Sequence, residues 1–269
     1  MKTFTLNNQV LIPQVGLGCN TFGKENKDYS APLNYDTTEI NNAITVGYRH
    51  LDTAISYRTE SVIGKALLEN KLPRSEFFLT SKIPGRLPYI LDDKSVDAAL
   101  ESSLEGLGVD YIDLYLIHHP WDNLNEMLQV WKRLEYHYQK GTIKAIGVSN
   151  FTEEILTDFL NRVTVKPAVN QIESNLGNFN HELVAFCLDN DILPVAYSPL
   201  KKATPEKRAV LSQIGEKYQK SWAQVLLRYQ TLRNVAVIPK SFQITHQREN
   251  IEIFDFTLTK AEIDQISAL

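Results

Sequence analysis

Four side chains of this 269-residue sequence could act together on a proton: Asp52, Tyr57, Lys82 and His118. A tyrosine hydroxyl ordinarily titrates near ~10, too high for easy proton transfer at neutral pH unless a cation stabilises the phenolate. Lys82 can supply that cation, Asp52 can keep the lysine charged and in place, and His118 can donate a hydrogen bond to a substrate oxygen. The set suits delivery of a proton to a carbonyl oxygen. It holds no Ser-His-Asp arrangement, and the histidines and cysteines show no metal-ligand spacing, so no metal is expected.

Something must bring these residues together, and short apolar runs supply the elements. QVGLG (14–18), YRHLD (48–52), FFLTSK (77–82), DLYLIH (113–118), IKAIGVS (143–149), AVNQ (168–171), ILPVAYS (192–198) and VAVIPK (235–240) read as strands, separated by segments of helical period. Such alternation implies parallel strands with crossover helices. Eight units imply an α/β fold closed as a (β/α)8 TIM barrel. Ahead of it, alternating residues around Asn7-Asn8 predict a β-hairpin with a two-residue turn. Asp36, with Glu39 in capping-box spacing, and Thr152 are read as helix N-caps, and Gly108 and Gly141 as helix ends. No Ser/Gly-rich linker interrupts the series. One domain is expected over residues 1–269, with a hairpin over 1–13 and a barrel over 14–269.

In this architecture the C-terminal strand ends converge on one mouth. They carry Asp52, Lys82, His118, Ser149 with Asn150, Gln171, Tyr197 with Ser198, and Lys240 with Ser241. Strand alternation places His118 with Leu114 and Leu116, and puts His119 on the opposite face, so adjacent His118 and His119 are not expected to share an ion.

A net charge of -4 without a block of like charge gives no footprint for nucleic acid or for an anionic membrane. The N-terminus lacks the apolar core of a signal peptide, and no run reaches the ~18 apolar residues of a membrane span. A cytoplasmic protein is therefore expected, as a monomer before an oligomer. Cys19 and Cys187 are far apart in sequence and read as core thiols.

Nearly end to end, the sequence resembles the aldo-keto reductase superfamily. YRHLDTAISY, LTSKIP and YLIHHP resemble the segments carrying that family's catalytic Asp, Tyr, Lys and His, which fall on Asp52, Tyr57, Lys82 and His118. GVSNF (147–151), NQIE (170–173), AYSPL (196–200) and IPKS (238–241) follow in the family's order. The resemblance implies reversible hydride transfer from NADPH to a small aldehyde or ketone. Tyr57 would be general acid, Tyr197 would stack on the nicotinamide, and Ser149, Asn150 and Gln171 would bind its carboxamide. Ser198 and Leu200 of AYSPL would also border the cofactor. Lys240 and Ser241 would meet the 2′-phosphate, with Glu249 and Asn250 near the adenine.

Three departures qualify this. His246 stands where many members place an arginine over the 2′-phosphate. A histidine is mostly neutral above its ordinary ~6.5, so a weaker NADPH preference, with NADH as a possible substitute, is expected. The chain has little material for a long substrate loop after His118 or for a C-terminal tail, which predicts an open pocket. The loop over residues 19–36 is expanded; Asn20, Phe22 and Tyr29 are candidates for lining the pocket, together with His119 at its rim, though a plain surface loop fits as well. GLGCNTFG begins like a dinucleotide fingerprint, but Thr21 stands where its third glycine belongs. A nucleotide-sensing protein with little turnover is the remaining alternative from a different class.

Overall fold

The computed structural model describes residues 2–269. Strands β1 (Thr3–Thr5) and β2 (Leu11–Pro13) form an antiparallel hairpin. Eight further strands follow: β3 (Leu17–Gly18), β4 (His50–Asp52), β5 (Phe78–Ile83), β6 (Ile112–Ile117), β7 (Ile143–Ser149), β8 (Val169–Glu173), β9 (Leu193–Tyr197) and β10 (Ala236–Ile238). Each pairs in parallel with its sequence neighbours. A parallel bridge between Val15 and Val237, with the Gly16 amide donating to the Val237 carbonyl at 2.8 Å, joins the last strand to the first. The sheet is thereby a nearly closed barrel, wrapped by the intervening helices as the strand–helix alternation predicts.

Two apolar layers hold it. Leu114, Leu116, Ala145, Val169, Val195 and Ala236 fill the barrel interior. Tyr115, Ile117, Ile146 and Val148, at alternate positions, pack outward against helices. Leu6 and Ile12 of the hairpin join the interior layer. Asn7 and Asn8 donate to the carbonyls of Pro167 and Lys144, pinning the hairpin across the end where strands begin. Gly16 is needed by a close neighbour: a Cβ there would meet the buried His50 ring at 2.4 Å.

Three local expectations change. The hairpin loop has three residues, because Gln9 adopts a left-handed φ of 69° and the Gln9 amide donates to Leu6, a type I turn closed by a bulge. Thr37 precedes the helix Thr38–Val46, and Asp36 reaches past it to accept from the Thr38 amide and hydroxyl. Glu39 closes no box, since Lys27 holds its carboxylate at 2.9 Å. Thr152, Gly108 and Gly141 do cap their helices.

Candidate active site

At the mouth, β5 presents Lys82 and β4 presents Asp52, both buried. The Lys82 ammonium donates to Asp52 Oδ1 and to the Thr53 carbonyl, each at 2.7 Å. Gln171, in the middle of β8, donates to the other Asp52 oxygen at 2.7 Å. The carboxylate is thus held from two sides. Burial pushes the Asp52 carboxyl up, against the two donors. Burial also pulls on the Lys82 ammonium, but Asp52 and Tyr57 outweigh it and hold the lysine above its ordinary range, so it stays charged.

Tyr57 ends a short helical turn, Ile55–Tyr57, that follows β4 directly. Its ring lies 4.9 Å from the Lys82 ammonium, and its hydroxyl is 3.4 Å from His118 Nε2. Burial raises the phenol's pKa, with Lys82 opposing, so Tyr57 carries its proton at neutral pH. Burial, with Lys82 adding to it, takes His118 down to about 2. A neutral imidazole therefore faces a protonated phenol, beside a fixed positive charge.

Strand β6 stops at Ile117, and this corrects the expected positions of the two histidines. Beyond the strand, alternation no longer applies: the His118 and His119 rings stack at 4.5 Å and 15° instead of facing apart. Asn150 holds this pair, donating to the His118 carbonyl at 3.1 Å and lying 3.0 Å from His119 Nδ1. The Tyr197 hydroxyl in turn donates to Asn150 Oδ1 at 2.8 Å. Asn150 sits at a left-handed φ of 62° just past β7, a conformation asparagine tolerates better than most residues.

A cavity of about 520 Å³ opens over this group, lined among others by Asn20, Tyr57, His119, Ser149, Gln171 and Tyr197. Ser198, Leu200 and Lys240 extend its wall. A second cavity, of about 360 Å³, meets the first at Leu200 and Lys240 and contains Ser241, His246, Glu249 and Asn250. Three residues expected to line the cleft, Asn150, Phe22 and Tyr29, line neither cavity. Asn150 lies behind the wall, its amide spent on the two histidines. Phe22 is a core residue, 1% exposed and edge-on to Phe242 at 5.3 Å, because the 19–36 loop folds inward at that point. Tyr29 of the same loop stands edge-on to Tyr57, with ring centroids 6.0 Å apart.

The wall also contains residues that the sequence did not single out for this role. Cys19 is buried beside Asp52, its amide donating to the Asp52 carbonyl at 2.9 Å, and burial pushes its thiol far up, leaving it protonated. Lys201 lines the first cavity, and Arg208 and Trp222 the second. Lys201 directly follows AYSPL and could have been found there. Arg208 and Trp222 come from two helices without any motif to mark them.

Residues 14–269 match the sequence model of the Aldo/keto reductase family. This chain belongs to that family. Among its relatives, the glyoxal reductase of Bacillus subtilis is 39% identical, over 99% of this chain and 92% of the relative. The crystal structure of an aldo/keto reductase from Brucella melitensis superposes with a TM-score of 0.90 at 34% identity, covering 99% of this chain and 98% of that one. A Bombyx mori aldo-keto reductase, solved in complex with NADP, gives a TM-score of 0.87 at 33% identity, over 99% and 92% of the two chains. As an aldo-keto reductase, the protein is an oxidoreductase with general carbonyl-reducing chemistry. No helix among the described residues is long and apolar enough to cross a membrane.

Proposed function

We propose that this aldo-keto reductase uses NADPH to reduce small aldehydes and ketones, dicarbonyls and keto-sugars included, with Tyr57 as general acid. The observation that carries the reading is the four-residue group itself: a protonated phenol against a buried charged lysine and a neutral histidine, opening on a cavity. The cleft also fits a phosphate-bearing dinucleotide. Among the described residues Lys240 donates only to neutral oxygens, Asn20 Oδ1 at 2.9 Å and Thr21 Oγ1 at 3.0 Å, while burial and nearby Lys201 pull its ammonium down. An anion would return the charge these cations lack. Tyr197 with Ser149 and Gln171 would hold the nicotinamide, Asn150 positioning Tyr197 from behind, and Ser198, Leu200, Lys240, Ser241, His246, Glu249 and Asn250 would hold the remainder.

When bound, the reduced nicotinamide supplies a hydride to the carbonyl carbon and is left oxidised. The chain's own residues handle the proton. Tyr57 gives its hydroxyl proton to the carbonyl oxygen, and the phenolate left behind is stabilised by Lys82, whose position Asp52 and Gln171 fix. His118, neutral, orients the carbonyl by hydrogen bonding, with His119 and Asn20 at the rim. Support for dicarbonyls comes from the name of the Bacillus subtilis relative. The test is NADPH consumption with a panel of aldehydes and dicarbonyls, using Tyr57→Phe as control. The variant is expected to lose about a hundredfold or more in kcat while binding NADPH normally. Equal turnover by both proteins would remove Tyr57 from its role; cofactor binding without turnover on any carbonyl would favour a sensor.

A further inference from the structure

The far cavity holds an unexplained arginine. The Arg208 guanidinium lies 4.7 Å from the Trp222 ring, a cation laid against an aromatic face. It lines the same cavity as Lys240, Ser241 and His246. Glu249 is the one carboxylate in that lining, and among the described residues Arg208 makes no ion pair with it. A guanidinium steadied by a stacked ring, with its donors unspent, is arranged to receive an anion.

We propose that Arg208, backed by Trp222, binds the phosphate on the 2′ position of the adenosine ribose, and so sets the preference for NADPH over NADH. This rests on the dinucleotide reading above. NADPH and NADH differ only by that phosphate, so a residue that discriminates between them must contact it. The second cavity joins the first at Leu200 and Lys240, which puts Arg208 at the end of the cleft remote from Tyr57. Lys240 and Ser241 contribute a second cation and a hydroxyl to the same phosphate. The preference then does not depend on His246: an arginine keeps its charge through the whole working range of pH, whereas a histidine ordinarily loses it near neutrality.

Calorimetric titration at pH 8, with NADPH, NADH and adenosine 2′,5′-bisphosphate as ligands, tests this on wild type and Arg208→Gln. Arg208 is exposed on the first turns of the helix Pro205–Glu216, so the variant is expected to fold. It should bind NADPH and the bisphosphate about tenfold more weakly and NADH within about twofold of wild type. Unchanged NADPH affinity would overturn the proposal. So would an equal loss for NADH, which would mean that Arg208 reads the adenosine and not its phosphate. If wild type binds the cofactor and only the variant result fails, the dinucleotide reading stands; if wild type binds neither dinucleotide, both fall.

Discussion

An ammonium with no exposed surface keeps its charge only if its partners return what desolvation removes. Lys82 has two oxygen partners, Asp52 and the Thr53 carbonyl, and sits over the Tyr57 ring. Removing it strands the Asp52 carboxylate in the barrel with Gln171 as its donor. Lys82→Met should therefore destabilise the fold by ~3–5 kcal/mol, read from urea unfolding midpoints, and abolish reduction. Adding Asp52→Asn should restore much of the stability and none of the activity. A double variant no more stable than the single one would mean that the pair is not held as charged. Asp52, Lys82 and His118 were legible as site candidates because each closes an apolar run of the sequence, where polarity has few other causes. The stacking of His118 on His119 was not, since it depends on β6 stopping one residue before His118.

Helix ends show how local spacing and tertiary context compete. The helix Lys260–Ser267 opens on a reciprocal capping box between Thr259 and Glu262, and Ser221 with Gln224 does the same for Trp222–Leu232. Asp36 and Glu39 have the same spacing and form no box, because the helix opens one residue later, after Thr37, and Lys27 pairs with the glutamate. Sequence spacing cannot see that lysine. Glu262 does more than cap: it also accepts from Lys217 at 2.8 Å and Tyr218 at 2.7 Å. Burial pushes its carboxyl up, but these donors and the Thr259 amide outweigh it and bring it down to about 2. A folded pKa below the ordinary value stabilises the fold above ~4.5 and loses that contribution as pH falls toward 2. Glu262→Gln should thus lower stability at pH 7 and close the gap to wild type near pH 2. Melting curves at both pH values check this, and a constant gap would refute it.

Across the whole molecule, the proposed chemistry and the hairpin's support lie at opposite ends of the barrel. The hairpin closes the end where strands begin, with Leu6 and Ile12 in the interior layer, and the strand ends at the other side gather the reactive group. This division was readable from strand–helix alternation alone, since parallel strands in a barrel place all their C-terminal ends together. At the remote end of the cleft, Lys240, Ser241, His246, Glu249 and Asn250 were readable from sequence, and Arg208 and Trp222 were not. Arg208 and Trp222 are brought to it by the packing of two helices against each other, which no short segment encodes. In the proposed function, hydride passes directly from NADPH to a carbonyl carbon held at this mouth. The most direct test is reduction of an aldehyde in ordinary water with NADPH carrying deuterium on both positions of nicotinamide C4, followed by mass analysis of the alcohol. Each product molecule should carry one deuterium on its alcohol carbon. An unlabelled alcohol formed at the same rate would contradict direct transfer.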